Sequence, residues 1–158
     1  AMLRINFMAL IAAAFLGGLL LTSPAMAKDY KLVVQMSSKN EKAQKRTLQR
    51  IGQLLKALKG ETVEVAVVAI GPGFNLVAKY AEKKFISIGT TDGGMHVEAV
   101  KKLMKKGVVF FADKTTVKMM GKHGMPTELI KGVKLVPNGA AQILKLQDAG
   151  YHYQAMFF

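Results

Sequence analysis

Apolar positions in this chain recur with two periods, and the order of those periods predicts a fold. Lys31, Leu32, Val33 and Val34 sit in a short β-rich run over 30–35, and Ser37, Ser38 and Asn40 offer turn and N-cap chemistry ahead of Glu41. Over 41–59 the period lengthens: Leu48, Ile51, Leu55 and Leu58 recur at i, i+3, i+7 and i+10, with Lys42, Lys45, Arg46, Arg50 and Lys56 elsewhere. That spacing predicts an amphipathic helix whose apolar stripe covers a sheet. Gly60 closes it, and 63–70 is a nearly unbroken apolar run of the kind buried on both faces of a parallel sheet.

Gly71-Pro72-Gly73 ends that strand, and 75–83 has the composition of one or two helical turns. Alternation over 85–89 predicts a short strand, and 90–94 a loop. A helix comes next over 96–106 with Val97, Val100, Leu103 and Met104 on one side, then Gly107 and a strand over 108–112. Thr115 or Thr116 caps a helix carrying Val117, Met119 and Met120, and Gly121, Gly124 and a turn over 126–130 come after it. A strand over 133–136, a helix over 138–149 and an alternating aromatic tail over 151–158 complete the pattern. Strands alternating with helices predict a parallel sheet with helices on both faces.

The first 27 residues read differently. Arg4 precedes an apolar or Gly stretch over 7–21, and Ala25-Met26-Ala27 has the form of an A-x-A processing site. Fifteen helical residues span roughly 22 Å, short of the roughly 30 Å hydrocarbon core, so the segment predicts a secretory signal cleaved after Ala27. A single domain over 28–158 then acts in the periplasm or outside the cell.

Composition narrows the chemistry. Among 158 residues, 23 Lys and Arg against 10 Asp and Glu give a net charge of +13. A small anionic ligand, an acidic protein partner or a peripheral contact with a membrane surface fits that charge. Export, and the absence of aromatic residues among the basic positions of 41–59, argue against nucleic acid. The chain has no cysteine, which excludes disulfides, Cys-ligated zinc, Fe–S clusters and thiol nucleophiles.

Two places carry candidate chemistry. Gly71, Pro72 and Gly73 fall at the carboxyl edge of the sheet, where ligands bind in open α/β folds, and Asp113, Lys114 and Thr115 fall at the end of the 108–112 strand. The Gly-Pro-Gly turn is not a dinucleotide cradle, because Leu76 replaces the third Gly and Pro72 lacks an N–H. The second place is the run of Met and His between 95 and 125. Thioether and imidazole suit Cu(I), and Met95, His96, His123 and Met125 lie in Gly-rich flanks, whereas Met104, Met119 and Met120 read as core fillers.

The ordered motifs resemble the DsrE/DsrF-like (YchN-like) family, associated with sulfur relay. The likeness rests on Lys31-Leu32-Val33-Val34-Gln35, Leu54-Leu55-Lys56-Ala57-Leu58, Val63-Glu64-Val65-Ala66-Val67-Val68 leading into Gly71-Pro72-Gly73, Gly107-Val108-Val109-Phe110-Phe111-Ala112, Val133-Lys134-Leu135-Val136-Pro137-Asn138-Gly139 and Leu146-Gln147-Asp148-Ala149-Gly150-Tyr151. It implies a three-layer α/β/α sandwich around a mostly parallel five-stranded sheet, assembled as a homotrimer or homohexamer. Sulfur-relay members carry a persulfide-bearing cysteine just after the strand matching 108–112; this chain has Asp113 there. The resulting expectation is a non-catalytic accessory or ligand-binding protein without persulfide transfer. One alternative is a thiol-independent enzyme acting on a small anionic sulfur compound, with Asp113 as acid or base and Lys114 or His123 as anion clamp. Another is a periplasmic Cu(I)-binding protein.

Overall fold

The computed structural model describes residues 28–79 and 96–157. The proposed signal segment, the short strand at 85–89, the loop at 90–94, Met95 and Phe158 lie outside them. Five strands, β1 (Asp29–Met36), β2 (Thr62–Ala69), β3 (Val109–Asp113), β4 (Lys134–Val136) and β5 (His152–Ala155), form one sheet in the order β4-β3-β2-β1-β5. Every pairing is parallel, with Val34 opposite Val67 and Val67 opposite Phe110 at the centre. Among the described residues four α-helices join the strands: α1 (Glu41–Ala57), α2 (Val97–Met104), α3 (Lys114–Lys122) and α4 (Gly139–Asp148).

Strand pleating sorts the core into two layers. Val34, Val65, Val67, Ala69, Phe110 and Ala112 face one side and pack with Leu48 and Ile51 of α1, Val100 and Leu103 of α2 and Met120 of α3. Their neighbours Val33, Ala66 and Val68 face the other side and pack with Ile143 of α4. Helices therefore cover both faces, giving the three-layer α/β/α architecture. The asymmetry arises from strand order: β1 to β4 advance in one direction, and α4 returns the chain across the sheet to β5 beside β1.

Local structure departs from the sequence reading at three points. Gly71–Leu76 forms a short 3-10 helix, where the sequence pattern predicts an α-helical turn beginning only at Asn75; residues 80–83 of that expectation lie outside the described residues. Gly71 takes a left-handed φ of +54°, and a Cβ on Gly73 would stand 2.1 Å from the carbonyl oxygen of Met36. Only a glycine lets this turn close onto the end of β1. Second, α1 buries Gln44 and Thr47 beside Leu48 and Ile51, whereas Leu55 and Leu58 are half-buried. Gln44 donates to Ser38 O (2.7 Å) and to Asn75 Oδ1, and Thr47 Oγ1 donates to Ala43 O (2.9 Å) while accepting from the Phe157 N–H (3.1 Å). These buried polar groups are satisfied, so they cost little. Third, the cap of α3 is Asp113 and not a threonine.

The aromatic tail is held by its own chain. Tyr151 donates to Glu64 (2.6 Å), Tyr153 to Gln35 (3.0 Å), and Met156 is buried. Burial, then the bond to Glu64, push the Tyr151 hydroxyl up to about 12.

Two glycine substitutions should act in opposite directions. Gly73→Ala should cost about 3 kcal/mol because the added carbon meets fixed backbone. Gly52→Ala, inside α1 with Leu103 Cδ2 at an ordinary 4.0 Å, should stabilise by about 0.5–1 kcal/mol. Urea denaturation checks both; equal effects would contradict the packing described.

Candidate functional site

The segments that leave β2, β3 and β4 at the carboxyl edge of the sheet converge on one carboxylate. Asp113, only 3% exposed, is the N-cap of α3. Its Oδ1 accepts from the N–H of Gly139 (3.0 Å) and Thr115 (3.3 Å), and its Oδ2 accepts from the Thr116 N–H (3.1 Å), the Thr116 hydroxyl (2.7 Å) and the Thr115 hydroxyl. Thr116 Oγ1 in turn accepts from the Gly71 N–H (2.9 Å). Five donors occupy roughly four lone-pair positions. Burial alone would raise the Asp113 carboxyl, but the bonds from Thr115, Thr116 and Gly139 outweigh it and hold the carboxyl below its ordinary value.

The candidate set Gly71, Pro72, Gly73, Asp113, Lys114 and Thr115 is thus divided. Gly71, Asp113 and Thr115 converge in a structural network, Gly73 serves close packing, and Lys114 is exposed on the first turn of α3. Asp113, expected as a candidate acid or base, is a buried carboxylate held below its ordinary value and engaged by five donors, an arrangement that holds the ends of the strands together. Pro72 alone of the six lines the cavity at this edge.

That cavity, about 690 Å³, is lined by Ser37, Ser38, Lys39, Pro72, Met119, Met120, His123, Met125 and Met156. It opens where β1 ends, between the 3-10 helix and the C-terminal half of α3. Four of the six methionines among the described residues meet here. Met120, Met125 and Met156 are buried, Met119 is 45% exposed and His123 is exposed. The sequence reading missed Met119, Met120 and Met156 as site residues. Met120 does join the core, but tertiary packing alone brings residue 156 beside residues 119–125.

The proposed quartet of Met95, His96, His123 and Met125 does not assemble as a unit. His123 and Met125 share the methionine-lined cavity, Met95 lies outside the described residues, and His96 lines a different cavity between α1 and α2. The correction has a simple cause: α1 and α2 lie side by side, whereas His123 comes after α3. Burial holds His96 below its ordinary 6.5, with Glu41 opposing and Lys45 adding to that shift. Among the described residues no three His, Asp or Glu side chains are grouped to hold a metal, and no helix is long and apolar enough to cross a membrane.

The class these features define is an all-parallel α/β/α protein with a thioether-lined cavity at the carboxyl edge of its sheet. No protein-family model matches the chain, and no curated protein does. A solved structure of a protein of unknown function from Methanobacterium thermoautotrophicum is similar, with a TM-score of 0.65 and 23% identity over 80% of this chain and 99% of that one. The likeness is one of fold.

Asp113→Ala should cost about 3 kcal/mol, since it removes a helix cap and strands the buried Gly139 donor. A depressed carboxyl pKa contributes stability above the ordinary 3.8 and loses it as pH falls through the folded value. The gap between native and variant should therefore be full at pH 7 and shrink below about pH 4, read by urea denaturation across pH. A gap that widens on acidification would contradict the assignment.

Proposed function

We propose that this chain is an exported, non-catalytic accessory protein on a DsrE-like scaffold that holds a small ligand in the cavity at the carboxyl edge. The observation that carries the reading is the pairing of an open, methionine-walled cavity with a carboxylate fully engaged in structure. A place in sulfur metabolism comes from the family resemblance, and the absence of cysteine from the chain supports binding in place of persulfide transfer. Flexible thioethers suit a mostly apolar ligand of variable shape. Native mass spectrometry of protein taken from its own export compartment should show one retained ligand per chain. Met119→Trp, at an exposed edge of the cavity, should abolish it with the fold intact. A ligand retained undiminished by that variant would place binding elsewhere.

A second reading, Cu(I) as the ligand, is favoured by the four thioethers and one imidazole on the same wall. With no thiol in the chain, soft-metal affinity has to come from such groups. Met120→Leu with Met125→Leu keeps volume and removes sulfur, so it should weaken Cu(I) at least tenfold in competition with bathocuproine disulfonate. Unchanged affinity would remove copper and leave the apolar ligand.

Self-association into a trimer or hexamer is part of the proposal. Leu144 is 63% exposed and Tyr153 46% exposed, and both border a shallow hollow with Gln35, Ala140, Ile143 and Gln147 beside the edge strand β5. A second copy would cover that patch. Leu144→Glu should shift sedimentation toward the monomer; a native chain that already sediments as a monomer at micromolar concentration would defeat this part.

A further inference from the structure

The groove between α1 and α2 has a composition unlike the carboxyl-edge cavity. About 540 Å³ in volume, it has Leu48, Gly52 and Leu103 along its apolar part, Lys45 and Lys56 from α1, and Lys102 and Lys106 from α2 and the residues after it. Gln49 and Gln53 add amides, and no carboxylate lines it. Among the described residues none of these four lysines has an ion pair, while Lys31, Lys79 and Lys101 each have one. His96 lines the same groove. It is 8% exposed, and its Nε2 is buried with no hydrogen-bond partner. An unsatisfied buried ring nitrogen costs about 1–3 kcal/mol, so a group that satisfied it would bind with that cost relieved.

We propose that this groove is a binding site for a soluble oligophosphate, with the lysines neutralising its charge and His96 Nε2 donating to a phosphate oxygen. The length of the cationic row selects a chain over a single ion: Lys45 and Lys56 are eleven residues apart on one helix face, about 16 Å at 1.5 Å per residue. Like charges held along a groove repel one another until a polyanion enters, which concentrates affinity there and not on the scattered surface lysines. The neutral ring that burial favours still donates from Nε2 in its Nε2–H tautomer, so the bond needs no protonation of His96. The site is independent of the methionine-lined cavity, with which it shares no residue.

The test is titration of the full chain with sodium tripolyphosphate, read by calorimetry and by the imidazole resonances of His96. One saturable event that moves the His96 signals is expected. Lys45→Gln with Lys102→Gln should weaken it at least tenfold, and Lys118→Gln with Lys122→Gln, an equal charge change on exposed positions of α3, should change it less than twofold. His96→Phe should weaken it too while leaving Cu(I) affinity untouched, which separates this site from the other. Equal weakening by both lysine pairs, a silent His96, or binding to phosphatidylglycerol vesicles in place of tripolyphosphate would overturn the proposal.

Discussion

The carboxylate of Asp113 is the contact on which the functional edge of this molecule depends. Parallel strands bring their ends to one side of a sheet, and there the backbone leaves the ladder with its N–H groups unpaired. Asp113 gathers those of Thr115 and Thr116 at the start of α3 and of Gly139 at the start of α4, and through Thr116 it reaches Gly71 after β2. One negative charge set at the N-termini of two helices is favourable for both. The same contact explains Gly139: a Cβ there would approach Ile70 Cγ1 to 2.7 Å and Asp113 Cβ to 3.1 Å, so glycine is what allows α4 to reach the carboxylate.

Fixing those turns fixes the walls of the cavity beside them. Pro72 comes directly after Gly71, and Met119 and Met120 ride on the helix that Asp113 caps, so the cavity inherits its shape from a network that does not line it. The result is a division of labour along one edge: charge holds structure, and soft apolar groups face the opening. The other strongly polar feature, the cationic groove, lies between two helices on the same face of the sheet. Its apolar part is formed where Leu48 and Gly52 of α1 meet Leu103 of α2.

Much of the fold was legible in the sequence because it rests on periodicity. The apolar run at 63–70 became the buried strand β2, the 3.6-residue stripe became α1, and Gly60, Gly107 and Gly150 all take positive φ as element closers. What escaped depended on contacts distant in sequence. Gln44 and Thr47 look like surface residues until Asn75 and Phe157 arrive to satisfy them. Asp113 looks like chemistry because a strand-end acid suggests reactivity; its cap of α3 is local, but its bond to the start of α4 comes from Gly139, twenty-six residues later. The methionines carried a signal of composition but not of convergence, since Met156 reaches the cavity only through the last strand.

The central claim, that Asp113 is a structural anion and not a proton-transfer group, is open to direct measurement. The carbon resonance of its carboxyl can be tracked by NMR as pH is lowered, together with hydrogen exchange at the Gly139 amide. The expected result is titration below the ordinary carboxyl value of 3.8 with a protected Gly139 amide above it. A carboxyl that titrates well above that value, or a Gly139 amide that exchanges freely at neutral pH, would contradict the claim.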